Sequence, residues 1–398
     1  MSEKSTGTTR TIGVEERRAR LALRHRLAGA ARAATAEEVA GSLVALHATD
    51  PATVFLAAGA RLTADRDPVA EVERALYEDR TLTRMHGMRH TVFVVPTALA
   101  AAVHSSSSAA AAVRERATLV RQLAAGSDYD EAWLAETERQ VLAELAERGE
   151  ATGTELGSSV PRLRAQYVYG VGTSQEGPQP VSSRILRLLG MEGRIARGRP
   201  QGSWTSSRFR WALVPPHPDL PAAEAQAELV RHWLAAYGPA TEADLRWWTG
   251  WKVTDVRRAL TALGTRRVTI DEGVGHVLPA DLEPVAAPAE PWAALLPALD
   301  PTPMGRQARD WYLDPEHRPA LFDRSGNIGP TVWWNGRVVG GWAQLPDGEV
   351  TWRLLTDVGE EAVAAIRTEA ARLAAWVGDV RITPRFRTPL ERELAAGA

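Results

Sequence analysis

The phrase Ala-Thr-x-x-acid-aliphatic occurs three times in this chain: ATAEEV at residues 34–39, ATGTEL at 151–156 and ATEADL at 240–245. Thr followed three residues on by Glu or Asp is a capping box or a close relative of one. The hydroxyl accepts a bond from the third helical N–H, and the acid reaches back to the cap. Thr35, Thr152 and Thr241 are therefore expected N-caps, with Glu38, Glu155 and Asp244 at the third helical position. The flanks repeat as well. An amphipathic helix precedes each phrase, over residues 15–27, 131–148 and 222–237, and two of the three end at Gly149 and Gly238, where helices commonly stop. Further helical residues follow each phrase, then two β-prone runs around a turn. These runs are 82–85 and 91–95, 195–197 and 209–213, and 267–270 and 276–278. Helix, capped helix, helix, hairpin is the order of a winged helix, an elaborated helix-turn-helix. Three such units in tandem occupy residues 12–127, 128–215 and 222–280. The first carries an extra helix, 51–62, inserted after its capped helix.

Pro-rich stretches at 215–221 and 279–291 read as linkers. From Trp292 the pattern changes. TVWWNGRVVGGWAQL places two β-prone runs around Asn335-Gly336, a hairpin signal. EVTWRLL is a further strand, 360–376 a helix, and DVRITPRF a last strand. Residues 292–398 are thus expected to form a β-rich, barrel-like domain. The fold class is α+β.

Composition narrows the chemistry. The chain has no Cys, so a thiolate metal site or Cys nucleophile is excluded. Its nine His residues form no zinc pattern; His86 and His90 lie four apart without a third ligand. There is no P-loop, GxGxxG or GxSxG, and the Gly-rich GVGTSQEG at 170–177 lacks a P-loop Lys. Neither metal nor cofactor is expected. No apolar run approaches the ~20 residues of a membrane span, and the N-terminal MSEKSTGTTR is polar. A soluble, cytoplasmic monomer is expected. Only Lys4 and Lys252 are lysines, so chemistry that needs a side-chain amine has two candidates.

The net charge of −2 argues against a general polyanion binder, but the charge is unevenly placed. Between residues 184 and 210 lie Arg184, Arg187, Arg194, Arg197, Arg199, Arg208 and Arg210, with Glu192 as the one acid among them. This is the third helix and wing of the second unit. GSWTSSRFR adds hydroxyls, Ser206 among them, that bond phosphate, and Trp204, which can stack or wedge. Arg84 and Arg89 flank the hairpin of the first unit. Double-stranded DNA is the partner that charge and motif together select. The alternative for the second-unit stretch is a solvated hairpin with Trp204 tucked into a core.

His47-Ala48-Thr49-Asp50 arrives where Pro51 ends a helical run. One reading is local: Asp50 before Pro51 is a good N-cap with Pro at the first helical position, and His47 suits a helix C-terminus. The other is chemical: a neutral imidazole accepts a proton from water near pH 7, and a Thr hydroxyl orients the same water.

The stretch LVALHATDPATVFLAAGARL resembles the N-terminal signature of the bacterial winged-helix DNA glycosylases, the AlkZ/YcaQ-like superfamily. LYEDRTLTRMHGMRHTVFVVP at 76–96, LLPALDPTPMGRQAR at 295–309 and GRVVGGW at 336–342 resemble its later segments, in the same order. The resemblance implies three winged helices and a small C-terminal β-barrel in a C-shaped molecule with a DNA channel. It also implies hydrolysis of the N-glycosidic bond of N7-alkylated purines. That family carries a catalytic Gln-x-Gln or Gln-x-Asp, and the aligned positions here are His47 and Thr49, with Asp50 as a further candidate to stabilise positive charge on the sugar. A monofunctional glycosylase without lyase activity is the expectation; a DNA-binding regulator or damage binder without catalysis is the alternative.

Overall fold

The computed structural model describes residues 10–397; Lys4 and most of the polar N-terminal stretch lie outside them. The three phrase threonines all cap helices. Thr35 accepts from Glu38 N–H, and both Thr152–Glu155 and Thr241–Asp244 close complete capping boxes.

The chain opens with α1 (Val14–Arg24). A first unit follows: α2 (Ala36–Leu43), β1 (Leu46–His47), α3 (Pro51–Gly59), α4 (Pro68–Glu73, prolonged by a π turn to Glu78), β2 (Leu82–His86) and β3 (Val92–Pro96). Two helices, α5 (Ala100–Val103) and α6 (Ala109–Gly126), joined through a π turn, lead on to the second unit. It comprises α7 (Glu131–Arg148), β4 (Glu150–Ala151), α8 (Gly153–Ser159), an inserted hairpin β5 (Gln166–Tyr169) and β6 (Gly177–Pro180), α9 (Val181–Met191), β7 (Ile195–Pro200) and β8 (Phe209–Leu213). GVGTSQEG is the tip of that inserted hairpin. The third unit has α10 (Ala222–Tyr237), α11 (Glu242–Thr249), α12 (Val253–Ala262), β9 (Arg266–Ile270) and β10 (Gly273–Val277).

The sheets share one plan. In the first two units the order is β1-β3-β2 and β4-β8-β7, antiparallel throughout. In the third, Ala240 bridges His276 on β10, which pairs β9. Each unit therefore runs helix, short strand, helix, helix, hairpin, with the short strand beside the last one. This plan shifts the phase expected for the first unit. The helix capped by Thr35 is its first helix, and α3, expected to be an insertion, is its second. The equivalents of Thr152 and Thr241 as caps following the short strand is Asp50, not Thr35. Repetition of the capping phrase hid the offset, because a capping box marks a helix start without saying which helix it starts.

The C-terminal region forms the open antiparallel sheet β11 (Ala293–Leu296), β12 (Thr331–Trp334), β13 (Arg337–Gln344) and β14 (Val350–Leu354). The single turns α13 (Pro301–Met304) and α14 (Arg318–Leu321) lie between its first two strands. The sheet does not close into a barrel. Helices α15 (Gly359–Val377) and α16 (Pro389–Ala395) follow. The segment between them, expected as a strand, has no regular structure; Pro384 withholds an N–H group a ladder needs.

The sheet of the first unit is covered on both faces. Leu46, Val92 and Val94 pack with α3, Trp204, the C-terminal sheet and α15. Met85, Phe93 and Val95 pack with the helices of the third unit. Where these bodies meet, Arg61 and Asp300 form an ion pair with no exposure at either side chain, both guanidinium ends bonded to both carboxylate oxygens at 2.7–2.8 Å. Breaking one partner of such a pair leaves an uncompensated buried charge. Arg61→Leu is expected to lower unfolding free energy by about 3–5 kcal/mol, read from the urea midpoint; a change under about 1 kcal/mol would contradict the role given to this pair.

Candidate active site at the edge strand of the first unit

The two-residue strand β1 is an edge of its sheet and delivers His47, Thr49 and Asp50 to the junction of three bodies. His47 pairs opposite Phe93, and the rings meet edge to face at 5.5 Å. The imidazole is buried, its Nδ1 sealed from solvent without a partner. Burial, and then the nearby Arg89 cation, push its pKa down to about 4, so the ring is neutral at pH 7. Arg89 belongs to the turn between β2 and β3, where it and His90 both hold positive φ, 52° and 60°. Non-Gly residues in this region are strained and gather at functional sites. The turn lays Arg89 over the Trp247 ring at 4.2 Å, and Arg309 approaches the same ring at 4.8 Å.

Asp50 is the N-cap of α3, with Pro51 at the first helical position. One carboxylate oxygen accepts the Ala52 N–H at 3.2 Å and the other the Arg385 N–H at 2.9 Å. Burial raises its pKa against these two donors. Both oxygens of Asp50, expected from sequence to face a sugar, hold main-chain N–H groups, so the carboxylate caps α3 and ties the Arg385 backbone to it. The Arg385 guanidinium donates to the Thr49 carbonyl at 3.4 Å.

Thr49 is half-buried and lines a small cleft together with Arg84, Arg197, Ser206 and Arg385. His47 is not among the cleft's lining residues. Thr49 thus lines the cleft, and the His47 ring packs on Phe93. Arg84 comes from β2 and bonds the Gly198 carbonyl of β7 at 3.2 Å, which brings the second unit's wing to the first unit. Arg197 lies flat on Phe209, 4.3 Å from the ring centroid. Burial first, then Arg84, Arg385 and Arg187, push its pKa down to about 10.

The remaining arginines proposed from sequence divide by partner. Arg184 pairs Glu115 at 3.1 Å, and Arg194 lies 3.8 Å from Glu138. Arg199 reaches Glu73 at 3.4 Å, and Arg210 meets Glu150 and Glu155 at 3.1 and 3.2 Å. Arg208 is exposed and makes no ion pair among the described residues. Trp204, expected as a stacking or wedging side chain, is instead buried between Phe55 at 5.2 Å and Trp376 at 5.9 Å. It anchors the wing in the shared core, and its apolar area outweighs any gain from exposure. Sequence reasoning missed Arg385 and took Arg187 only as part of a charge run. The signal for Arg385 was TPRFRTP, a basic segment held irregular by flanking prolines. Lys252 is exposed at the start of α12. Among the described residues no group of three His, Asp or Glu is placed to hold a metal ion, and no helix is long and apolar enough to cross a membrane.

His25, His47 and His86 are all buried and all hold pKa values below the ordinary 6.5, chiefly through burial; for His47 and His86 the value is about 4. The unfolded chain therefore binds more protons between about pH 6.5 and 4, and stability rises with pH through that window. Acidification from pH 7 to pH 5 is expected to lower stability by about 2 kcal/mol for each of His47 and His86. The double variant His47→Gln, His86→Gln is expected to flatten the urea midpoint over the same range. An equally steep profile in that variant would refute the assignment.

Comparison with known proteins fits this geometry. A family model described as DNA glycosylase AlkZ-like matches residues 40–376, a span that contains β1 and the cleft strands. An interstrand DNA cross-link repair glycosylase from Streptomyces sahachiroi is 31% identical over 216 residues, 51% of this chain and 57% of that protein. The chain thus spans little more than half the length of this curated relative. The solved structure of Streptomyces sahachiroi DNA glycosylase AlkZ superposes with a TM-score of 0.70 at 22% identity, covering 94% of this chain and 99% of that one. At that identity the likeness concerns the fold, and it extends over nearly the whole molecule. With a family match over most of its length, the chain belongs to the AlkZ-like DNA glycosylase family.

Proposed function

We propose that this chain is a monofunctional DNA glycosylase that hydrolyses the N-glycosidic bond of N7-alkylated purines in double-stranded DNA. The observation that carries the reading is the position of β1. It is an edge strand with a neutral, unbonded imidazole, set between Arg89 on one side and the cleft of Arg84, Arg197 and Arg385 on the other. Alkylation at N7 makes the base cationic and a good leaving group. The protein then needs to place a water and bind the strand more than to protonate the base.

With a pKa of about 4, His47 is a weak base at pH 7. Moving a proton to it there costs roughly 4 kcal/mol. Its role in this reading is to orient water by hydrogen bonding, with the Thr49 hydroxyl as second partner. A neutral imidazole has one donor and one acceptor nitrogen, so it can stand in for the amide that other members carry. A Schiff-base route needs an amine, and Lys252 is the one lysine among the described residues. It lies in the third unit and away from the motif in sequence, which supports hydrolysis without lyase chemistry. The relative's cross-link activity makes bulky and cross-linked adducts the first substrates to try.

A second reading, DNA binding without bond cleavage, is favoured by one observation. No carboxylate lines the cleft beside Thr49, and Asp50 has both oxygens engaged. Single-turnover base release from a duplex carrying N7-methylguanine or a larger N7 adduct separates the two. The expected result is release by wild type, loss of about 100-fold in His47→Ala and about tenfold in Thr49→Ala, and partial retention in His47→Gln. Absence of release across adduct sizes would leave the binder. Release untouched by His47→Ala would keep the enzyme and remove His47 from its site.

A further inference from the structure

We infer that the cleft between the first unit, the second wing and the C-terminal loop is a built site for a phosphate oxyanion, and that its occupant is one phosphodiester of the DNA strand, held by Arg84, Arg197 and Arg385 beside Thr49. The inference rests on the reading of the chain as a DNA-binding protein, and adds to it a specific contact.

Arg84 carries the argument. It is only 6% exposed, yet of its three guanidinium nitrogens only Nη1 has an acceptor, the Gly198 carbonyl. Nε and Nη2 are sealed from solvent and have no well-aligned acceptor, and the Tyr77 hydroxyl is a neutral oxygen close enough to interact with the guanidinium. Arg197 likewise has a buried, unbonded Nε. Proteins rarely leave charged donors buried without acceptors, because desolvation is then uncompensated. Such groups call for an anion that the free protein lacks.

The surroundings agree. No acid lines the cleft, while Thr49, Ser206 and Ser207 offer hydroxyls. Among the described residues Arg84, Arg187, Arg197 and Arg385 make no ion pair, although Arg184, Arg194, Arg199 and Arg210 all have Glu partners. The Asp50 carboxylate, the nearest acid to Arg385, is occupied by the N–H groups of Ala52 and Arg385. Burial, and then the repulsion of Arg84, Arg385 and Arg187, lowers the proton affinity of Arg197. A tetrahedral oxyanion relieves both the repulsion and the missing bonds, and guanidinium forks match its geometry.

The test uses the full chain and an undamaged, fluorophore-labelled duplex, with wild type, Arg84→Met and Arg385→Gln. Each variant is expected to weaken binding about tenfold and to reduce the salt slope of log K by about 1. Arg84→Met loses the bond to the Gly198 carbonyl together with an unpaired buried charge, so its thermal midpoint is read alongside; a collapse of that midpoint would make Arg84 a structural residue, and Arg385→Gln, exposed on its loop, then decides alone. A single methylphosphonate moved along the strand is expected to weaken wild type at one position. At that position it should have no further effect on Arg385→Gln. Inorganic phosphate that raises the midpoint of wild type but not of Arg385→Gln, with a flat methylphosphonate scan, assigns the cleft to free phosphate and overturns the DNA occupant. Unchanged affinity and slope in Arg385→Gln overturn the site. A chain that releases no base yet passes the scan loses the proposed reaction and keeps this one.

Discussion

The buried pair of Arg61 and Asp300 holds the molecule's parts in register. Arg61 stands just beyond α3 and uses every arm of its guanidinium. Nε donates to the His25 carbonyl, Nη1 to Ala57 and Asp300, and Nη2 to Asp300 and Thr302. His25 continues the chain. Its Nε2–H donates to the Ala236 carbonyl of α10, and its Nδ1 accepts from the Thr302 hydroxyl. The depressed pKa of His25, due first to burial and then to Arg61 and Arg306, keeps that tautomer neutral. One connected network thus touches α1, α3, the third unit and α13. Buried charge is tolerated only when its bonds are complete, so each of these elements is fixed to within hydrogen-bond distance of the others. Because α3 begins at Asp50, the network also fixes the direction in which β1 leaves its sheet.

The same physics, applied less completely, distinguishes the arginines near β1. Those facing outward on the second unit have Glu partners, and their positive charge is cancelled locally. Arg84, Arg197 and Arg385 have no carboxylate partner among the described residues, and Arg84 and Arg197 keep buried nitrogens without an acceptor. A net charge of −2 is therefore compatible with a strongly positive cleft, since a sum over the chain carries no information about where cancellation occurs. Trp204 completes the arrangement by sinking into a core that also contains Phe55 and Trp376. The wing is held by apolar burial as well as by its ion pairs.

Much of this was legible from residues. The helices at 131–148 and 222–237 and the strand at 209–213 end where amphipathic and turn patterns place them. The three capping threonines cap helices, because a capping box is a local interaction that tertiary contacts seldom override. What was not legible was non-local. The phase of the first unit depends on which short strand pairs with β3, and Leu46–His47 is too short to register as a strand by alternation. Arg385 lies more than 330 residues from Thr49, and the two meet through the Arg385 guanidinium on the Thr49 carbonyl and the Arg385 N–H on the Asp50 carboxylate. The burial of Trp204 was one of two readings its sequence permits, and packing alone decides between them. The low pKa of His47 follows from Phe93 and Arg89, neither of which is its neighbour in sequence.

A glycosylase for N7-alkylated purines faces an electrostatic conflict: its ligand is a polyanion that carries a cation. A cleft rich in arginine draws the strand but repels the charged base. Burial resolves part of this, because it strips the proton from His47 and so removes one cation from the motif. A phosphate seated among Arg84, Arg197 and Arg385 resolves another part, because it neutralises the cluster nearest Thr49 at the moment the strand docks. Attraction at long range and tolerance of a cation at short range are then served by the same side chains, in successive states of occupancy. An imidazole with an ordinary pKa would not fit this scheme: it would charge in mildly acidic solution and oppose the leaving group it faces. The hydrophobic setting of His47 against Phe93 is thus a requirement of the proposed reaction as much as a consequence of the fold.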